Sequence, residues 1–252
     1  MVSRHALITG AGTGIGAAIA KQLYREGHNV SLIGRRLEPL ATLAETLGNS
    51  CRAITGDVTD RESIEAAFSE ATTNFGPVEI LINCAGVAPS APFHRIEFDD
   101  WQKTLDVNLN GVFHCTQIAL GDMKASGWGR IVTIASTASL KGFAYVSGYC
   151  ASKHAALGLT RALALETAQQ GITVNAICPG YVDTDIVRDS IQGIMAKTGR
   201  SEAEALQHFT QSNPQGRLIE ASEVAASVSW LCSEGAASVT GQAIAIDGGS
   251  TA

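Results

Sequence analysis

A tyrosine and a lysine four residues apart are the part of this sequence best suited to proton transfer. Tyr149 and Lys153 occupy the segment Tyr-Cys-Ala-Ser-Lys, and Ser136 lies 13 residues before the tyrosine, at the end of an apolar run. Residues four apart lie on one face of a helix, so the ammonium would stand beside the phenol. A phenol has an ordinary pKa of about 10, and a nearby cation lowers it toward neutral pH. We therefore expect Tyr149 to act as a general acid or base on a substrate oxygen.

Two alternatives compete with this interpretation. A lysine without a partner is nearly always a solvated surface residue, which is the simplest reading of Lys153 taken alone. Tyr145 is a second candidate phenol, but the residue four positions later is Tyr149 rather than a lysine. We expect Tyr145 to line the pocket instead of moving the proton.

A glycine-rich segment near the amino terminus indicates a dinucleotide site. Residues Thr9 to Gly16 read TGAGTGIG, after the apolar run Ala6 to Thr9 and before the helical stretch Ala17 to Glu26. Glycines permit a tight turn and close backbone approach, and free N–H groups at a helix start bind a pyrophosphate. Strand, glycines and helix in this order favour a cofactor loop over an ordinary turn.

The next apolar run predicts which dinucleotide is bound. It ends in Gly34-Arg35-Arg36, with no carboxylate to select the free ribose of NAD and two guanidiniums that could hold a 2'-phosphate. NADP(H) is therefore favoured and NAD(H) remains possible, since both arginines could also be merely solvated. Asp57 could accept a hydrogen bond from the adenine amino group or cap the turn that follows it.

The elements that must position these residues alternate between apolar runs and helical stretches. Runs rich in Val and Ile are predicted as strands at Ala6 to Thr9, Val30 to Gly34, Arg52 to Gly56, Ile80 to Asn83, Ile131 to Ser136, Thr173 to Cys178 and Ala243 to Asp247. Such runs are typical of strands buried on both faces. The order predicts an α/β fold, a single-domain, Rossmann-type, doubly wound parallel sheet of about seven strands with helices on both faces, spanning residues 1–252.

Two local patterns accompany this architecture. The stretch Arg61 to Phe75 has helical periodicity, and Thr59 with Glu62 forms a capping-box pattern at its start. A second helix, Ala155 to Ala168, is expected to carry Tyr149 and Lys153 at its head. Residues 185–216 differ in texture from the rest and predict a helical lid over the mouth of the site.

Composition excludes several classes of protein. The formal net charge is −6 and no basic run occurs, which argues against nucleic acid as a partner. The chain enters an apolar strand at once and has no long apolar span, so we expect a soluble, cytoplasmic protein that does not bind membranes. The six cysteines show no CxxC or Cys/His ligand spacing, so no metal site is predicted and buried thiols are expected.

Taken together, the motifs resemble those of the short-chain dehydrogenase/reductase (SDR) family, in the right order over nearly the whole chain. They are TGAGTGIG at Thr9 to Gly16, NCAG at Asn83 to Gly86, Asn108, Ser136, YCASK at Tyr149 to Lys153, and PGYVDT at Pro179 to Thr184. The family usually has a second asparagine where this chain has Cys84. The resemblance implies an NAD(P)(H)-dependent enzyme that interconverts a ketone and a secondary alcohol.

The resemblance also implies roles for individual residues. Tyr149 would be the general acid/base, Ser136 would hold the substrate oxygen, Lys153 would bind the nicotinamide ribose and lower the pKa of Tyr149, and Asn108 would hold a water linked to Lys153. The implied cofactor-binding residues are Gly10, Gly12, Thr13, Gly14, Ile15, Gly16, Arg35, Arg36, Asp57, Val58, Asn83, Ala85, Gly86, Tyr149, Lys153, Pro179, Gly180, Val182 and Thr184. The segments Gly241-Gln242 and Asp247-Gly248-Gly249 imply a homotetramer.

Residues expected around the substrate are largely apolar and include Phe143, Tyr145, Tyr181 and the 185–216 segment. They favour a small-molecule substrate that is a 3-oxoacyl thioester or a ketone with an apolar or aromatic arm. An NAD-dependent dehydrogenase of secondary alcohols or 3-hydroxy acids is the alternative, ranked lower because no convergent cation is evident near Thr137. A non-catalytic dinucleotide sensor, a dehalogenase and an epimerase fit the sequence less well.

Overall fold

The computed structural model describes residues 2–252, apart from the side chains of Ile186 and Lys197. Seven strands form one sheet in the order β3-β2-β1-β4-β5-β6-β7, and every neighbouring pair is parallel. The strands are β1 (His5–Thr9), β2 (Asn29–Gly34), β3 (Cys51–Thr55), β4 (Ile80–Asn83), β5 (Gly129–Ile134), β6 (Ile172–Pro179) and β7 (Ala243–Ile246). The predicted fold class and all seven strands are confirmed, with ends that differ by two residues at most.

Helices cover both faces of the sheet. They are α1 (Gly14–Arg25), α2 (Leu37–Leu47), α3 (Arg61–Phe75), α4 (Phe98–Leu105), α5 (Gly111–Ser126), α6 (Ser147–Thr167), α7 (Asp185–Thr198), α8 (Glu202–Thr210) and α9 (Ala221–Cys232). The core on one face is formed with α1, α2 and α9, and the core on the other with α3, α5 and α6. Strand side chains alternate between these two cores, as Ile8 and Leu7 illustrate, so most strand positions are buried and apolar.

Strand order reverses between β1 and β4, which opens a crevice at the carboxyl ends of these two strands. In open parallel sheets ligands bind at this point because the connecting loops diverge to either side. The loops after β1, β4, β5 and β6 all leave the sheet at this edge. They carry the glycine-rich segment, the NCAG segment, Ser136 and the segment Pro179 to Thr184 respectively.

Helix α3 begins as predicted, but with a different cap. The predicted capping box of Thr59 and Glu62 is wrong. Asp60 is the N-cap residue, and its carboxylate accepts hydrogen bonds from the backbone N–H groups of Glu62 and Ser63. A carboxylate one residue closer to the helix reaches these donors directly, and Thr59 instead donates to Asp57.

Candidate active site

The glycine-rich loop is closed tightly against the segment that follows β4. Gly10 has a φ of +65°, and a Cβ there would lie 2.8 Å from the Cα of Ala85. A Cβ at Gly16 would collide with the carbonyl oxygen of Gly10. Both positions therefore require glycine, the first for its backbone conformation and close approach and the second for space.

Thr9 supplies the tie that holds these two loops together, a role that sequence reasoning missed. Its hydroxyl oxygen accepts hydrogen bonds from the backbone N–H groups of Cys84 and Ala85, at 3.1 Å each. Asn83 is buried beside this tie and donates to the hydroxyl of Thr116. The sequence did offer a signal for this role: a hydroxyl at the last residue of a buried strand needs a hydrogen-bond partner.

Helix α1 begins without a side-chain cap. Thr13 precedes it, makes no capping hydrogen bond and is exposed, and no acidic residue lies in the first turn. The N–H groups at this helix start therefore face the crevice unpaired by side chains, with the positive end of the helix dipole behind them. Together with the space that Gly10, Gly12, Gly14 and Gly16 leave, this fits the pyrophosphate of a dinucleotide.

Arg35 and Arg36 follow β2 directly and are both exposed. Within residues 2–252, neither guanidinium has a hydrogen bond or an ion pair. Asp57, after β3, is half-buried, and one of its carboxylate oxygens already accepts two hydrogen bonds from Thr59. The turn-capping role of Asp57 is thus present, and Val58 beside it is buried.

Ser136 lies two residues beyond the end of β5 rather than within the strand as predicted. Its hydroxyl oxygen accepts a hydrogen bond from the backbone N–H of Ala138 at 3.1 Å. Because this contact uses only a lone pair, the hydroxyl proton is free to be donated elsewhere. Helix α6 starts at Ser147, earlier than predicted, so Tyr149 and Lys153 lie within its first two turns.

The pKa of Tyr149 corrects one expectation. Burial raises this pKa above the ordinary value, and a hydrogen bond with the Ser136 hydroxyl opposes the rise only in part. The expected lowering by Lys153 does not occur in the protein alone. The ammonium lies 5.7 Å from the centroid of the Tyr149 ring and is directed at a backbone carbonyl instead.

Lys153 is buried between α6 and the end of β5. Its ammonium donates a hydrogen bond to the carbonyl oxygen of Ile134 at 2.8 Å, and its side chain is only 5% exposed. Burial lowers the pKa of Lys153 from 10.5 to about 8. Gly86 lies next to this group, since a Cβ there would be 3.6 Å from the ammonium nitrogen.

Asn108 lies in a π-helical turn, Asp106–Asn110, and is fully buried. Its amide oxygen accepts from the N–H of Val87, and its amide nitrogen donates to the carbonyl of Val87 and to the hydroxyl of Ser152. Ser152 in turn donates to the carbonyl of Tyr149. Asn108 therefore ties the loop after β4 to the helix that carries Tyr149, and π turns often mark such positions. Ser152, which sequence reasoning missed, completes the link.

The segment after β6 reaches back to the glycine-rich loop. Pro179 and Val182 are buried, and Val182 pairs with Ile219 in an isolated parallel bridge. A Cβ at Gly14 would lie 3.2 Å from the methyl carbon of Thr184, and the Thr184 hydroxyl donates to the carbonyl of Val182. The structure thus brings Gly14, Val182 and Thr184 together.

A cleft opens beside these residues between α8 and the carboxyl-terminal segment. It is lined by Thr137, Phe143, Gly180, Tyr181, Phe209, Ser212, Asn213, Arg217, Asp247 and Ser250. Tyr181 and Phe209 stack edge to face, with 5.0 Å between their centroids. Tyr145, which we expected to line the pocket, is not among the residues that line this cleft. Its φ of +67° accompanies a side chain that is 65% exposed.

Comparison with known proteins agrees with this geometry. The family model described as short chain dehydrogenase matches residues 4–194. A putative ketoacyl reductase of Streptomyces coelicolor is 40% identical, over 98% of this chain and 97% of that protein. A variant of actinorhodin polyketide ketoreductase, solved with NADPH, superposes with a TM-score of 0.95 at 39% identity, covering 99% of this chain and 97% of that one. A 3-ketoacyl-(acyl-carrier-protein) reductase from Brucella melitensis, solved with NADH, gives a TM-score of 0.89 at 29% identity, over 99% and 98%.

The fold, the site and these similarities define an oxidoreductase built on a dinucleotide-binding sheet. The chain belongs to the short chain dehydrogenase family. It is an NAD(P)-dependent enzyme that interconverts a ketone and a secondary alcohol. Across residues 2–252, no helix combines the length and apolar character needed to cross a membrane.

Proposed function

We propose that the protein is an NADP(H)-preferring reductase of ketones that carry an apolar or aromatic arm, including 3-oxoacyl thioesters. The observation that carries this proposal is the aromatic side of the cleft, where Phe143, Tyr181 and Phe209 line the same pocket as Thr137, the residue after Ser136. The similarity to a ketoacyl reductase supports the same substrate class.

Tyr149 and Ser136 are assigned to the substrate oxygen. The Tyr149 phenol, which hydrogen-bonds with the Ser136 hydroxyl, would donate the proton that the substrate oxygen needs during ketone reduction. The Ser136 hydroxyl, whose proton is not used by Ala138, would donate a hydrogen bond to the same oxygen and stabilise its developing charge.

The remaining site residues are assigned to the cofactor. The glycine-rich loop and the start of α1 would bind the pyrophosphate, Lys153 the nicotinamide ribose, and the segment Pro179 to Thr184 the carboxamide. When bound, the nicotinamide supplies the hydride. The guanidiniums of Arg35 and Arg36 support a preference for the 2'-phosphate of NADP(H), because phosphate oxygens would satisfy donors that have no partner among the described residues.

We assign the lid role to α7 and α8 and expect a homotetramer in the cytoplasm. Phe209 of α8 contacts Tyr181 at the cleft, which supports the lid. Phe98, Phe113 and Leu165 are exposed on α4, α5 and α6, Leu165 by 84%, and association of subunits would cover such side chains. All six cysteines are free, which suits a reducing compartment. Sedimentation velocity of the purified chain tests the tetramer, and a monomeric mass would contradict it.

One spectrophotometric panel tests the substrate and cofactor proposals. Oxidation of NADPH and NADH would be followed at the reduced-nicotinamide absorbance, with a 3-oxoacyl thioester, an aryl ketone and a small aliphatic ketone as substrates. We expect kcat/KM to be at least about tenfold higher with NADPH, a difference of about 1.4 kcal/mol, and higher for the first two substrates than for the third. A preference for NADH, or for the aliphatic ketone, would refute the corresponding assignment.

A further inference from the structure

The carboxyl-terminal segment, residues 247–252, forms one wall of the substrate cleft. Asp247 and Ser250 both line the cleft. The Asp247 carboxylate accepts hydrogen bonds from the N–H of Gly249 and the hydroxyls of Ser250 and Thr251, at 3.0, 3.0 and 2.6 Å. Burial acts to raise the pKa of Asp247, but these hydrogen bonds outweigh it and the pKa lies below its usual value. The segment is therefore folded around a charged carboxylate.

On one side this wall packs against the residues that follow α8. Gly248 has a φ of +65°, and a Cβ there would collide with the side chain of Asn213. A Cβ at Gly249 would lie 3.5 Å from the ring of Pro214. Asn213 is itself fixed, because its amide donates to the carbonyl of Arg217 and accepts from the N–H of Gln215. The position of the wall and that of the α8 region are thus linked by packing.

On the other side a hydrogen bond from a charged group holds the wall. Lys141, in the loop after β5, donates a hydrogen bond from its ammonium to the carbonyl oxygen of Ser250, at 2.6 Å. The same ammonium lies 5.4 Å from the centroid of the Phe143 ring, within cation–π distance. Phe143 and Ser250 are both cleft residues, so one ammonium joins two walls of the substrate cleft.

We propose that Lys141 is a positioning residue that fixes the width of the substrate cleft by latching the carboxyl-terminal segment to the loop after β5. Hydrogen bonds from a charged donor are about twice as strong as neutral ones, and an ammonium can serve an acceptor and a ring face together. The latch acts through Ser250 and Phe143 and not on the reacting atoms. The inference rests on the proposed function, because it concerns the substrate cleft of that same site.

Kinetics of three latch variants test this role. Lys141→Met removes the charge at similar length, Lys141→Arg keeps it, and a third variant lacks residues 250–252 and so the acceptor. With the preferred ketone we expect KM to rise about tenfold in Lys141→Met, kcat to stay within about twofold, and Lys141→Arg to retain most of the wild-type KM. Lys124→Met, on the exposed surface of α5, is the matched control. An unchanged KM, or a loss confined to kcat, would overturn the proposal.

The double variant separates the latch from general loosening. If Lys141 acts through Ser250, adding Lys141→Met to the truncated chain should raise KM by less than about twofold beyond the truncation alone, because the partner is already gone. Two effects that multiply in full would show that Lys141 acts independently of the segment and would overturn the proposal.

Release of terminal residues by a carboxypeptidase tests the latch without any activity. Residues of the last segment should be released several-fold faster from Lys141→Met than from the wild type or Lys124→Met, because the segment opens more often. Equal release rates would overturn the latch whatever the kinetics. A wild-type chain that fails to reduce any ketone of the panel would instead count against the proposed substrate class and leave this measurement valid.

Discussion

The ammonium of Lys153 donates a hydrogen bond to the carbonyl oxygen of Ile134, with 2.8 Å between the two heavy atoms. This contact joins α6 to the last residue of β5, and Ser136 follows Ile134 by two residues. The end of β5 therefore positions Ser136, and α6 positions Tyr149 and Lys153. The contact also keeps the charged ammonium buried, and burying a charge lowers the free energy of unfolding.

This loss of stability predicts that Lys153→Met stabilises the cofactor-free protein. The folded-state pKa of about 8 lies below the value of 10.5 for a free lysine, so the unfolded chain binds the proton more tightly. The penalty is fully present below pH 8 and fades as the pH rises from 8 to 10.5. The penalty for burying the charge is about 3 kcal/mol. The variant avoids this penalty but loses the hydrogen bond to Ile134, which is worth about 1 kcal/mol. We expect the variant to gain about 2 kcal/mol in free energy of unfolding at pH 7.

Urea denaturation at pH 7 and near pH 10 checks this sign. The gain should shrink at the higher pH, because the wild-type penalty disappears there. Lys124→Met, whose side chain is exposed, should change the free energy of unfolding by less than about 0.5 kcal/mol at either pH. A Lys153→Met variant less stable than the wild type at pH 7 would contradict the prediction.

Tyr149→Phe is expected to abolish chemistry while leaving cofactor binding nearly unchanged. Only the proton-transfer group is removed, so kcat should fall about a thousandfold or more, and the Kd for NADPH should change by less than about threefold. Stopped-time assays and fluorescence titration measure the two quantities. Tyr24→Phe, on α1 and away from the crevice, is the control. Full activity in Tyr149→Phe would remove the phenol from the mechanism.

Arg35→Asp should reverse the discrimination between the two dinucleotides. A carboxylate after β2 would repel the 2'-phosphate and could accept a hydrogen bond from a free 2'-hydroxyl. We expect KM for NADPH to rise more than about tenfold and KM for NADH to stay equal or fall. Lys124→Glu controls for the change in net charge. If both KM values rise equally, Arg35 does not contact the phosphate.

Asn108→Ala should lower stability and activity together. It removes the hydrogen-bond partners of both the N–H and the carbonyl of half-buried Val87, which costs about 2 kcal/mol. It also frees Ser152, whose hydroxyl reaches the carbonyl of Tyr149. Asn110→Ala in the same π turn removes only a bond to Asp106 at a half-buried position and should cost less than about 1 kcal/mol. Urea denaturation compares the two, and equal losses would show that Asn108 has no special positioning role.

The spacing of residues in the sequence was enough to predict the catalytic pair. It was not enough to predict the electrostatic environment of that pair. Tyr149 and Lys153 are four residues apart on one helix, so their shared face could be foreseen. The direction of the ammonium could not be, because the acceptor at Ile134 lies 19 residues earlier in the chain and becomes a neighbour only when β5 packs against α6. For this reason the expected lowering of the Tyr149 pKa was wrong for the protein alone.

Local periodicity and composition by themselves determined the strands, the parallel sheet, the glycine-rich loop and the family, because these depend on short-range patterns of apolar residues and on glycines at fixed positions. Tertiary structure alone decided which polar groups meet across the crevice. Thr9 meets Ala85, Asn108 meets Val87 and Lys141 meets Ser250, over separations of 76, 21 and 109 residues. Such pairs have no signature in sequence spacing, since each depends on how the sheet brings distant loops to one edge.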